Sequence, residues 1–230
     1  MGWVMFAVTK ALGEPCSDAS ALPARALTNK ASDKVLVAAI ARGDHYAMRL
    51  LYGRHSVRVY RFAMRIVADR SVAEDVVSEV FLDVWRRAQT FEGRAEVSTW
   101  LLGITRLKAL AIIRRRPLET WDDDALMEFE DATDDPETAL QKKQRGSCLS
   151  QLLAKLSPAH REIIDLVYYH EKRVDEVAEI IGVPGATVKT RMYYARKHLM
   201  KLLTEAGLAK EVSLMSSSPR SAIELRPANG

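Results

Sequence analysis

Apolar residues recur at helical spacing through most of this chain, and no segment alternates convincingly as a half-buried strand would. Val35, Leu36, Ala39 and Ile40 begin the pattern after Ser32-Asp33, and Gly43 stops it. A second run, from about 44 to 67, carries Ala47, Leu50, Leu51, Val59, Phe62, Ala63 and Ile66. The third, 71–88, has a broad apolar face of Ala73, Val76, Val77, Val80, Phe81, Val84 and Trp85. Opposite that face lie Asp75, Ser78, Glu79, Leu82 and Arg86. A Leu among carboxylates and a hydroxyl is either part of a solvated face or the apolar centre of a partner-binding patch. Residues 91–97 then read as a loop, and Ser98 or Thr99 is expected to cap a helix through Trp100, Leu101, Ile104, Leu107, Ala111 and Ile112. It ends at Arg114-Arg115-Arg116-Pro117, where arginines favour the helix dipole and also suit contacts to a phosphate backbone.

The second half of the chain repeats the theme on a smaller scale. Ser157-Pro158 is a start signal for a helix over 157–169 with Ile163, Ile164, Leu166 and Val167 facing inward. Val177, Ile180 and Ile181 follow, Gly182-Val183-Pro184 breaks the pattern, and Val188, Met192, Ala195, Leu199 and Leu202 resume it. At 100° per residue the last stripe leaves Ala186, Lys189, Thr190, Tyr193, Tyr194 and Lys197 on the far side. Two short helices at a tight turn, the second with Lys, Thr and Tyr exposed near its start, predict a helix-turn-helix suited to the major groove. An ordinary αα-hairpin with a solvated basic face is the alternative.

Charge sharpens this picture. The formal net charge of +4 conceals segregation: residues 117–141 hold ten acidic side chains and no Lys or Arg, so the remainder carries 34 basic against 20 acidic residues. Two basic bodies flank an acidic strap, and basic surfaces attract polyanions through counterion release, so nucleic acid is the first partner to consider. The strap either keeps the chain soluble or occupies a basic channel meant for nucleic acid. Residues 1–31 and 206–230 are expected to be disordered extensions. Cys16 and Cys148 form no CxxC pair, which gives no disulfide or zinc framework and fits the cytoplasm. No apolar run spans a membrane and no signal peptide is evident.

In order and content these parts resemble an extracytoplasmic-function sigma factor of bacterial RNA polymerase, of the sigma-70 family. The resemblance spans residues 33–203 and rests on AEDVVSEVFLDVW from Ala73, on Trp100-Leu101 through Ile104 leading to Arg114–Arg116, and on VAEIIGVPGATVKTRMYYAR from Val177. It implies an all-α fold with a region 2-like helical bundle at 32–116, an acidic linker at 117–145 and a region 4-like helix-turn-helix at 146–205. It implies that Asp75, Ser78, Glu79, Leu82 and Arg86 dock on the β′ clamp helices of core polymerase, with the β flap as a further contact. Phe91, Arg94, Trp100, Arg106, Lys108, Arg114, Arg115 and Arg116 would engage the −10 element and help hold an unstacked base. Ala186, Thr187, Lys189, Thr190, Arg191, Tyr193, Tyr194 and Lys197 would read the −35 element. An anti-sigma factor is an implied partner, whereas catalytic residues, cofactors and metals are not implied.

Where the family often has Gln, Asn, Asp and Arg, this chain has Ser78, Leu107, Ala111 and Tyr194. Leu107 and Ala111 remove polar groups from the −10 helix, and Tyr194 cannot make the bidentate guanine contact of an Arg, so a shifted promoter preference is expected. Two other functions fit the same parts: a stand-alone helix-turn-helix regulator, and a sigma-like decoy that sequesters an anti-sigma factor. No P-loop, nucleophile elbow, HExxH or paired Cys ligands point to an enzyme.

Overall fold

The computed structural model describes residues 31–115 and 151–206, and no strand occurs among them. The expected disordered ends, the acidic linker, Arg116 and both cysteines lie outside the described residues. Two compact units form: Met1–Leu126 with Asp165–Val188, and Met127–Ile164 with Lys189–Gly230. These units do not follow chain order, because a segment of the second half of the sequence folds with the first.

The first unit begins with α1 (Asp33–Ile40), α2 (His45–Val67), α3 (Arg70–Arg87), a 3-10 turn (Ala88–Thr90) and α4 (Val97–Arg115). Short acidic side chains start two of these helices. Asp44 Oδ1 accepts from the amides of Tyr46 at 2.8 Å and Ala47 at 3.0 Å, and Asp69 Oδ1 accepts from Val72 N at 3.0 Å. The apolar stripes then close into one core of Leu36, Leu51, Val59, Ala63, Val76, Val80, Phe81, Val84 and Leu101, with α2 packed on α1, α3 and α4. Asp33 ties α1 to α2, accepting from Arg54 Nη1 and meeting His55 Nε2, each at 2.6 Å. Burial pushes its carboxyl upward, but the hydrogen bonds from Arg54 and His55 outweigh that effect and leave it below its ordinary value.

The same unit continues with a π-helical segment (Asp165–Tyr169) and α6 (Val174–Ile181), whose apolar face buries Val177, Ile180 and Ile181. Gly182 ends α6 at φ +75°, a left-handed conformation that costs glycine little, and its amide returns to Ala178 O at 2.9 Å. Pro184 follows, and α7 (Gly185–Glu205) starts at once. The expected tight break at Gly182-Val183-Pro184 is thus present.

The second unit contains a helical stretch at 151–154, α5 (Pro158–Ile164) and the length of α7 from Lys189 onward. Its interior is Leu152, Leu156, Ile163, Ile164, Met192, Ala195, Leu199 and Leu203. Leu203 rather than the expected Leu202 completes the α7 stripe, since Leu202 is only half-buried. Ser157 precedes Pro158 as expected, with its carbonyl accepting from Arg161 N at 2.9 Å. The helix expected to run unbroken over 157–169 instead changes to the wider π winding at Asp165, with His170 N bonded to Asp165 O at 3.0 Å.

Candidate polymerase and nucleic-acid interfaces

The outer face of α3 brings together the residues expected to dock on polymerase. Asp75, Glu79 and Arg86 are exposed, and Ser78 and Leu82 are half-buried between them. The Ser78 hydroxyl donates to Glu74 O at 3.0 Å, one turn back, so it is partly satisfied by its own helix. Glu79 and Asp83 both reach Lys108 Nζ, at 3.3 and 3.1 Å. Lys108, expected on the −10 surface, has its ammonium against the α3 carboxylates, because α3 and α4 pack side by side.

The other expected −10 residues cluster at the loop and along α4. The Phe91 and Trp100 rings lie 4.8 Å apart, packed at the edge of the core, and this contact fixes where the loop meets the helix. Arg94 projects from the loop with an ion pair to Glu92 at 2.5 Å. Arg106 is half-buried, while Arg114 and Arg115 are exposed in the last turn. Leu107 is 68% exposed, the most open of the large apolar side chains among the described residues, and Ala111 one turn on is also exposed. On α7, Ala186, Lys189, Thr190, Tyr193, Tyr194 and Lys197 are exposed and Thr187 and Arg191 are half-buried, opposite the buried stripe. The Tyr193 and Tyr194 rings meet edge to face at 5.3 Å, forming an aromatic step on a basic helix.

Ser98 and Thr99 do not cap α4 as expected. The helix starts at Val97, with Trp100 N bonded to Glu96 O at 3.0 Å, and the two hydroxyls meet Lys172, just before α6, and Glu176 within it. Lys172 Nζ donates to Ser98 Oγ at 2.7 Å, Thr99 Oγ1 at 2.9 Å and Glu176 Oε1 at 2.9 Å. Thr99 Oγ1 in turn donates to Glu176 Oε1 at 2.5 Å. Burial raises the Glu176 carboxyl, but the bonds from Thr99, the Arg173 amide and Lys172 outweigh it and bring it down to about 2. Beside this cluster, Arg65 Nε pairs with Asp165 Oδ1 at 2.8 Å, His170 Nε2 lies 3.3 Å from Asp165 Oδ2, and Arg61 bonds the Tyr169 hydroxyl. Lys172 and Glu176 are an i,i+4 pair, the one local signal here, whereas their partners Ser98 and Thr99 and the Arg65 partner of Asp165 lie 70 or more residues away, and the Asp165–His170 contact is revealed only by the π winding.

Similarity to known proteins follows the same division. A family model described as Sigma-70 region 2 matches residues 51–117, and one described as Sigma-70, region 4 matches residues 147–199. The ECF RNA polymerase sigma factor SigL of Mycobacterium tuberculosis is 28% identical over 178 residues, covering 76% of this chain and 98% of SigL. SigW of Bacillus subtilis is 26% identical over 175 residues, covering 72% of this chain and 94% of SigW. Among solved structures, the sigma factor RpoE of Bartonella quintana, in complex with the anti-sigma factor NepR, superposes with a TM-score of 0.52 at 25% identity over 66% of this chain and 94% of RpoE. The chain belongs to the sigma-70 family and is an extracytoplasmic-function sigma factor of bacterial RNA polymerase.

Proposed function

We propose that this sigma factor places core polymerase on its promoters through three surfaces of its own. The α3 face of Asp75, Ser78, Glu79, Leu82 and Arg86 docks on the β′ clamp. The loop at Phe91 and Arg94, with Trp100, Arg106, Arg114 and Arg115 of α4, captures the opened −10 strand. The α7 face reads the −35 duplex and is carried on the β flap. It acts in the cytoplasm, performs no chemistry itself, and is held in check by an anti-sigma factor, as the RpoE–NepR pair suggests.

The observation that carries this reading is α7. A helix with one face sunk in an apolar interior and the other offering Lys189, Thr190, Tyr193, Tyr194 and Lys197 to solvent is built to enter a groove. Tyr194 offers a ring and one hydroxyl where an Arg would offer a fork, so it makes no bidentate pair with guanine. Selection from a randomised −35 library by reconstituted holoenzyme is expected to recover a motif different from the family's usual one. The Tyr194→Arg holoenzyme is expected to regain guanine at the facing position by about tenfold, the lower part of what one bidentate pair discriminates. Recovery of the usual motif by the native chain would refute the assignment of Tyr194.

A further inference from the structure

Between Trp100 and Arg114 the outward stripe of α4 carries no side chain that can form a hydrogen bond. At 100° per residue Trp100, Gly103, Leu107, Ala111 and Arg114 fall within an arc of about 80°, flanked by Ile104 and Leu110. The polar residues of the same stretch are turned elsewhere: the buried Thr105 hydroxyl donates to Leu101 O at 2.7 Å, and Lys108 meets Glu79 and Asp83 on α3. Leu107, 68% exposed, stands between two small residues, Gly103 one turn before it and Ala111 one turn after. A Cβ added at Gly103 would meet nothing within 4 Å, so the surface beside Leu107 is shallow and open. A lone exposed Leu is ordinary. This one is set on a helix whose 19 residues include no carboxylate and whose last turn exposes Arg114 and Arg115, so the face suits a polyanion rather than an apolar protein segment.

We propose that Leu107 reads thymine in the −10 region by packing on its C5 methyl group, while Gly103 and Ala111 let the neighbouring bases approach and Arg114 holds a phosphate. The inference rests on the reading of α4 as the −10 surface and names what that surface selects. A stripe without donors or acceptors cannot use the hydrogen-bond code of the base edges, and the thymine methyl is the one apolar feature that separates the bases there. The spacing fits as well. One helical turn on either side of Leu107 spans about 6 Å, close to two steps of stacked bases at about 3.4 Å each.

Selection from a randomised −10 library by reconstituted holoenzyme fixes the preferred element. Each thymine in it is then replaced singly by uracil, which pairs alike and lacks only the methyl group. Anisotropy of the labelled promoter is expected to show holoenzyme binding about fourfold weaker at one of these positions, what burial of a single methyl group is worth. Leu107→Ala holoenzyme is expected to bind the thymine and uracil templates alike. Gly103→Leu, which adds bulk where the free chain has room, is expected to weaken binding to every template by about tenfold through a clash with the bases. Equal affinity of the native holoenzyme for thymine and uracil at every position would overturn the methyl reading, and the −10 reading would survive it if Gly103→Leu still weakened binding. Native binding by both Gly103→Leu and Leu107→Ala holoenzymes would remove the −10 reading as well. Weaker binding of Leu107→Ala to core enzyme alone would make the stripe a protein contact and overturn the proposal.

Discussion

Leu82→Arg is expected to weaken binding of the full chain to core RNA polymerase by about 30-fold, equivalent to about 2 kcal/mol for loss of an apolar anchor. Leu82 is half-buried among Asp75, Ser78, Glu79 and Arg86, so it supplies the apolar centre while its neighbours supply a polar rim. An arginine there can reach solvent and pair with Asp75 or Glu79, so the fold should hold while the docking face loses its shape. Glu79→Ala is a weaker variant by comparison, because Glu79 shares Lys108 with Asp83 and the ammonium keeps one partner. Titration of labelled core enzyme measures both. Affinity of Leu82→Arg within about threefold of native, in a chain that melts at the native temperature, would remove α3 as the docking surface.

Phe81→Ala, one position earlier, should act on stability. Phe81 is fully buried, with its ring centroid 4.8 Å from that of Tyr52, and it joins α3 to α2 at the centre of the first unit. Truncating such a side chain costs about 3–5 kcal/mol, a large part of the 5–15 kcal/mol that holds a typical domain together. Urea unfolding followed by tryptophan fluorescence is expected to show the midpoint falling accordingly, with Leu107→Ala within about 0.5 kcal/mol of native because Leu107 is open to water. A loss under about 1 kcal/mol for Phe81→Ala would mean the core is not centred on this helix pair. The two variants separate neighbouring residues of one helix: the outward side chain is expected to govern assembly and the inward one folding.

The same distinction explains what could be read from sequence. Features fixed by near neighbours were legible: the period of α3, the Asp44 start of α2, the stop at Gly182 and the split of α7 into a buried stripe and a basic, aromatic face. Features fixed by distant partners were not. Ser98 and Thr99 look like caps because hydroxyls at helix starts usually are; here Lys172 and Glu176 claim them. The ion pairs of Lys108, a residue expected on the −10 surface, could not be read either, because Glu79 and Asp83 reach it only once α3 and α4 pack. The π winding at Asp165 breaks a run whose apolar spacing reads as continuous helix, and the residues it displaces, Asp165 and His170, meet Arg65 and each other. The family resemblance named the expected surfaces, but it had no means of showing the contacts of Ser98 and Thr99 with Lys172 and Glu176.

The central claim is that these helices direct polymerase to promoters instead of binding DNA or an inhibitor for their own sake. Run-off transcription with purified core enzyme, using a template chosen by the −35 selection, tests it most directly. Core enzyme with the native chain is expected to yield one discrete transcript that core alone does not make, and that Leu82→Arg reduces in proportion to its lost affinity. No transcript above core alone, from a chain that nevertheless binds promoter duplex by itself or captures an anti-sigma factor, would contradict the account.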